Sequence, residues 1–184
     1  MITKTNPQFI IHAAWIALFL FIMVGHSYAE TLPRAVSNSE IRTPLLGQSR
    51  PHFSLPDIQG KMRHIDEWNG KLLVINFWAT WCEPCKKEMP MFNRLQSLYG
   101  DDGVQFIGVA VDNQQAVNEF MQQIPIEFPV LIGDLTAVQL VQTYGNQAGV
   151  LPYTIFVDKN GKIFAAAQGG LTRSYASRTI EKQL

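Results

Sequence analysis

The chain reads as an α/β domain, and three observations carry that reading. Residues 72–78 (Leu-Leu-Val-Ile-Asn-Phe-Trp) and residues 104–111 (Val-Gln-Phe-Ile-Gly-Val-Ala-Val) are almost wholly apolar. Such runs belong to strands buried on both faces of a sheet rather than to half-exposed ones. Between them lies a stretch of good helix formers that stops at Gly100, and two buried strands joined by a helix make a parallel βαβ unit. The chain has 184 residues, 47% of them apolar, which is enough for one well-packed domain plus a leader.

The leader comes first. Lys4 precedes an apolar run over residues 9–24, followed by Gly25-His26-Ser27-Tyr28-Ala29-Glu30. This is the layout of an export signal, with the small residues Ser27 and Ala29 placed for cleavage after Ala29. The run is shorter than the about 20 residues a spanning helix needs, and it contains His12. Cleavage is therefore preferred to a retained anchor, and a buried helix of the domain fits worst because the run has no polar face. Residues 1–29 are read as signal peptide, the irregular residues 30–44 as linker, and residues 45–184 as the domain. Fifteen basic and fifteen acidic residues leave no excess positive charge to neutralise phosphates, so no nucleic-acid partner is expected.

The domain opens with two short alternating segments, Pro51-His52-Phe53-Ser54-Leu55-Pro56-Asp57 and Lys61-Met62-Arg63-His64-Ile65, around the turn Ile58-Gln59-Gly60. They predict a β-hairpin. The first buried strand then leads through Ala79-Thr80-Trp81 to the only two cysteines, Cys82 and Cys85. Pro84 is tolerated in a first helical turn, where its missing N–H would be unpaired anyway, and Lys86, Lys87 and Glu88 continue with helix formers. Cys82 thus sits at the tip of a helix that runs to Tyr99, and Cys85 lies one turn inside.

That placement has chemical consequences. Unpaired N–H groups and the positive end of the helix dipole favour a thiolate at Cys82, which makes it the nucleophile. Cys85 is close enough to attack a mixed disulfide held on Cys82 and so acts as the resolving thiol. Half of a zinc site is the weaker reading, since zinc needs about four ligands and the four histidines show no ligand spacing. A purely structural bridge is also weak, because so short a loop removes little unfolded-state entropy.

Beyond the second strand, residues 112–124 carry Val117, Phe120, Met121 and Ile124 at helical spacing, residues 128–132 form a short strand, and residues 136–144 form a helix ended by Gly145. Pro152 opens a β run over 153–157, a position where a strand tolerates proline. Asp158-Lys159-Asn160-Gly161-Lys162 is a hairpin turn that leads to a last strand over 163–167. Gly169-Gly170 allows a sharp turn, and Thr172 starts a closing helix.

The run Phe77-Trp78-Ala79-Thr80-Trp81-Cys82-Glu83-Pro84-Cys85-Lys86-Lys87-Glu88-Met89-Pro90 resembles the active-site signature of the thioredoxin superfamily. Within it the likeness is to the TlpA/ResA-like branch of extracytoplasmic thiol-disulfide reductases, which is related to the redoxin and AhpC/TSA proteins. The hairpin with Phe53-Ser54-Leu55-Pro56-Asp57 extends the likeness from about residue 45 to the C-terminus.

The resemblance implies a thioredoxin-like three-layer sandwich with an N-terminal β-hairpin and a central helix-strand insertion. It implies that Pro152 is a cis-proline facing the cysteines, with the Leu151 backbone free to pair with an extended substrate. A glutamate at the Glu88 position handles protons in this branch, and Glu88 lies three residues after Cys85, within helical reach of it; a solvated glutamate fits the same spacing. Asn76 stands where plain thioredoxins carry a buried acid, which moves the proton acceptor to Glu88. Trp81, Glu83 and Pro84 join Leu151 and Pro152 in the expected substrate surface, while Trp78 and Trp81 shape the apolar ground around Cys82.

The function expected from this is reduction of disulfides in substrate proteins outside the cytoplasm, without cofactor or metal, by a monomer. It would act in the periplasm, or anchored to the inner membrane and facing it. A membrane electron donor of the DsbD/CcdA kind and a role in cytochrome c maturation are implied by the branch. The competing classes are a peroxiredoxin-like thiol peroxidase, whose lone-cysteine signature is absent, and a non-catalytic binding module on the same fold.

Overall fold

Each half of the domain is built outward from one strand. The computed structural model describes residues 43–184; the leader expected over residues 1–29, and all but the end of the linker expected over 30–44, lie outside the described residues. Strand β3, Leu72–Trp78, is buried along its whole length. Its residues alternate between faces as a pleated strand requires. Leu72, Val74 and Trp78 enter one apolar cluster, and Leu73, Ile75 and Phe77 enter another on the opposite face.

Around β3 the sheet has the order β5-β4-β3-β6-β7. Strands β4 (Val104–Ala110) and β5 (Val130–Ile132) run parallel to β3, β6 (Tyr153–Val157) runs antiparallel to it, and β7 (Ile163–Gln168) runs antiparallel to β6. The first face is covered by helix α1 (Glu83–Tyr99), α2 (Gln114–Gln123) and α4 (Arg173–Glu181), through Met89, Phe92 and Leu95, Val117 and Phe120, and Ala176 and Ile180. The second is covered by α3 (Asp134–Thr143) through Ala137, Leu140 and Val141. This is the expected three-layer sandwich, and α2 with β5 is the expected insertion, β5 adding a parallel edge strand beside β4.

The hairpin pairs β1 (Ser54–Pro56) with β2 (Met62–His64), Ser54 lying opposite His64. Asp57 Oδ1 shapes its turn by accepting from the N–H groups of Gln59 and Lys61, both at 3.0 Å. A 3₁₀ turn, Ile65–Trp68, follows and buries Ile65 and Trp68 under the second face. The sequence reading contained no such turn, since four residues are too few to show a period. Pro90 sits inside α1, where its missing N–H withdraws a helical bond from Lys86. The burial of Met89, Met91, Phe92 and Leu95 offsets that loss, at about 1.5–3 kcal/mol for each large apolar side chain.

The strand directions decide where chemistry can sit. The C-terminal ends of β3, β4, β5 and β7 and the start of β6 share one edge of the sheet. The segments around residues 79–83, 111–113, 146–152 and 169–172 therefore meet there.

Candidate active site

The cysteine pair lies at this edge because β3 ends there and α1 begins. Cys82 is the N-cap residue of α1, extended at φ −86° and ψ 101°, and Pro84 occupies the first turn. Cys82 and Cys85 are joined by a disulfide, with their Cα atoms 5.3 Å apart. Cys82 is 5% exposed and Cys85 wholly buried, so the order of accessibility is the expected one although the margin is small. Among the described residues no group of three or more His, Cys, Asp or Glu is placed to hold a metal.

Two carboxylates organise the ground around the pair. Thr80, two residues before Cys82, donates to Asp112 Oδ2 through both its N–H, at 3.2 Å, and its hydroxyl, at 2.5 Å. Asp112 stands just after β4, and its Oδ1 accepts the N–H of Asn113 at 2.9 Å. The loop that presents Cys82 is thus tied to the end of the neighbouring strand. Sequence reasoning placed Asp112 only as the start of a helix; its position after a buried parallel strand, where α/β sheets gather ligand-binding loops, was the signal available.

Glu88 is the second. It is 3% exposed, which excludes a solvated helix-face glutamate. Its Oε1 accepts from Asn76 Nδ2 at 2.9 Å and its Oε2 from the Leu171 N–H at 2.9 Å. Burial pushes its pKa up to about 7, against the opposing pull of the Leu171 N–H and the Asn76 amide. Asn76 Nδ2 also donates to Thr154 Oγ1 at 3.0 Å. One network therefore joins the centre of β3, the cysteine helix, β6 and the turn after β7. The sequence reading had named Asn76 but not Thr154 or Leu171.

Pro152 stands just before β6, at the same edge of the sheet. The Leu151–Pro152 bond is cis, Pro152 is buried and Leu151 half-buried. The Gly169 N–H donates to the Pro152 carbonyl at 2.8 Å. Gly169 has φ +86°, a conformation that favours glycine, and the turn it makes brings Leu171 back over Glu88. The loop ahead of Pro152 is held by the buried Asn146, whose Nδ2 donates to the Val150 carbonyl at 2.8 Å.

The two tryptophans part company. Trp78 is wholly buried, its ring 5.0 Å from that of Phe120, and it belongs to the apolar cluster that also holds Cys82 and Cys85. Trp81 is 68% exposed, next to Cys82 in sequence. With Val150, 46% exposed, it leaves apolar surface open on the edge that carries the disulfide. Glu83 and Pro84 are also exposed. The Glu83 carboxylate lies 3.6 Å from Lys86 Nζ and 3.9 Å from Lys87 Nζ, so both lysines pair with it at the surface.

The chain is similar to known thiol-disulfide oxidoreductases. Residues 46–166 match the AhpC/TSA family. The thiol-disulfide oxidoreductase ResA of Bacillus thuringiensis subsp. konkukian is 34% identical over 138 residues, covering 74% of this chain and 78% of that protein. ResA of Bacillus subtilis is 34% identical over 129 residues, covering 70% of each. Among solved structures, DsbF of MTB, in mixed oxidised and reduced forms, superposes with a TM-score of 0.63 at 26% identity, over 72% of this chain and 95% of that one. A thiol:disulfide interchange protein of the thioredoxin family from Chlorobium tepidum gives 0.65 at 25% identity, over 73% and 94%.

Proposed function

The chain belongs to the AhpC/TSA family as a ResA-like thiol-disulfide oxidoreductase, and we propose that it works in the reducing direction on exported proteins. The observation that carries this is Glu88, a buried carboxyl one helical turn from Cys85 that titrates near neutrality. The reduced enzyme attacks a substrate disulfide with the Cys82 thiolate. One substrate sulfur bonds to Cys82 and the other leaves as a thiolate. Cys85 then passes its proton to the Glu88 carboxylate and attacks Cys82, closing the Cys82–Cys85 disulfide and releasing the second substrate thiolate. Two electrons reach the substrate, and both released thiolates are protonated from solvent and from Glu88.

A carboxyl of pKa near 7 suits this exchange because it takes and returns a proton at working pH. Trp81, Glu83, Pro84 and Val150 form the surface on which substrate lies, and the Leu151 backbone pairs with its extended segment. The apolar run over residues 9–24 supports export to the periplasm with cleavage after Ala29, or retention as an anchor on the inner membrane. Outside the cytoplasm a reductant must be recharged from elsewhere, which fits a membrane donor of the DsbD/CcdA kind. Cytochrome c maturation, with its demand for reduced cysteine pairs, is the role proposed.

Trapping tests the reading. Cys85→Ala should hold substrate proteins as mixed disulfides on Cys82, and iodoacetamide at pH 7 should label Cys82 of the reduced enzyme before Cys85. The absence of trapped partners, or oxidation of a reduced unfolded protein faster than reduction of insulin, would remove the proposal. Turnover of peroxide exceeding that of insulin would place the chain among the peroxidases instead.

A further inference from the structure

The Asn76 amide lies at the centre of β3, wholly buried. Its Nδ2 is 2.9 Å from Glu88 Oε1 and 3.0 Å from Thr154 Oγ1. Its Oδ1, equally buried, accepts no hydrogen bond among the described residues. A buried acceptor left unpaired is costly and calls for a reason.

The observed orientation suits one form of Glu88 only. An N–H donates to a carboxylate, whereas a carboxylic acid must itself donate. The two ends of an amide are nearly the same size, and a half-turn about its last torsion exchanges them. Oδ1 would then stand where Nδ2 does, within reach of the same two oxygens. There it would accept the Glu88 O–H and the Thr154 O–H, since a hydroxyl donates as readily as it accepts. The NH2 group would take the unpartnered place. Each orientation serves both neighbours and leaves one amide atom unpaired.

We propose that the Asn76 side chain flips with the protonation of Glu88, a positioning residue that offers a donor to the carboxylate and an acceptor to the acid. The inference rests on the reading of Glu88 as acceptor of the Cys85 proton. Glu88 faces Asn76 on β3 and the Leu171 N–H and Gly170 in the turn after β7, and Cys85 lies three residues before it on the same helix. No charged side chain contributes to its titration, and Cys82 and Cys85, joined as a disulfide, carry no proton, so the amide is the group left to adapt. An aspartate at 76 could not do this, because two carboxylates at that separation would share a proton.

The test turns on a difference between a flipping amide and a fixed donor. A fixed donor stabilises only the carboxylate, so Asn76→Leu would raise the Glu88 pKa by about 1 or more. The variant's loss of stability would then grow between pH 5 and pH 9. A flipping amide offsets the downward pull of its N–H in the observed orientation by accepting from the acid in the other, so on its removal the Glu88 carboxyl carbon should titrate within a few tenths of its wild-type position and the loss should be equal at the two pH values. A pKa displaced by about 1 or more overturns the proposal. The second measurement needs no variant: in the wild-type protein the Asn76 amide protons should show a strong nuclear Overhauser effect to the Thr154 methyl above the Glu88 titration and a weak one below it. An effect constant through the titration overturns the flip. Insulin reduction by Glu88→Gln tests the underlying reading separately: a pH profile identical to wild type removes Glu88 as proton acceptor, whatever Asn76 does.

Discussion

Replacing Glu88 with Gln should remove from the oxidised protein's stability the part of its pH dependence between about 5 and 9 that Glu88 carries. The wild-type carboxyl is 3% exposed, and burial raises its pKa from 4.5 to about 7. Unfolded, it ionises near its ordinary value, so between those two pH values unfolding releases a proton and stability falls as pH rises. This is the sign for a raised folded-state pKa: the contribution is whole below about 4.5, fades through the interval and is gone above about 7. At about 1.4 kcal/mol per pH unit, the whole loss is about 3 kcal/mol, of which about 2.5 falls between pH 5 and pH 9. A glutamine has no proton to release. It keeps the Leu171 contact through its oxygen, and its NH2 can donate to Asn76 Oδ1 once that amide turns by a half-turn. Urea unfolding of the disulfide-bonded protein, followed by tryptophan fluorescence at the two pH values, reads the effect. The variant should gain on wild type by about 2 to 3 kcal/mol between them, the other titrating groups being common to both. A stability difference that stays constant to within about 0.5 kcal/mol would mean that Glu88 does not carry the desolvation penalty.

Three further perturbations follow from the site. Glu83→His should raise the reduction potential and lower the Cys82 pKa by removing a like charge, but by well under half the about 150 mV between thioredoxin and DsbA, since Lys86 and Lys87 already partner Glu83; a lowered potential in glutathione equilibration would contradict this. Asp112→Ala should cost about 1.5–3 kcal/mol by releasing Thr80 from a charged acceptor, and should slow insulin reduction, while Asp112→Asn recovers part of both because an amide oxygen still accepts; unchanged stability and rate would dismiss the clamp. Gly108→Ala would set a Cβ 3.0 Å from Trp78 Nε1 and 3.3 Å from Phe128, overpacking that should cost about 1–3 kcal/mol and lower the thermal midpoint; an unshifted midpoint would show that the ring can move.

The sequence by itself determined the scaffold and the reactive pair. Buried strands announce themselves because both faces need apolar residues, so β3 and β4 were legible to within a residue. Gly100, Gly145, Thr172 and Asn160-Gly161 marked helix and turn boundaries through backbone constraints that act locally. Cys82 as a helix cap followed from Pro84, again within one turn. The cis bond at Pro152 came from resemblance alone, since nothing in the local sequence separates it from an ordinary turn proline.

Only the tertiary structure decided which polar residues the site uses. In Lys86-Lys87-Glu88-Met89-Pro90 a glutamate reads equally well as solvated. What buries it is the turn at Gly169, which returns the Leu171 N–H across 83 positions of chain to its carboxyl. Trp78 and Trp81 look alike in sequence, yet the pleat of β3 sends one into the core while the loop beyond leaves the other at the surface. Thr80 meets Asp112, and Asn76 meets Thr154, only because β3 lies between β4 and β6. Strand order is a property of the whole sheet, and no window of sequence contains it.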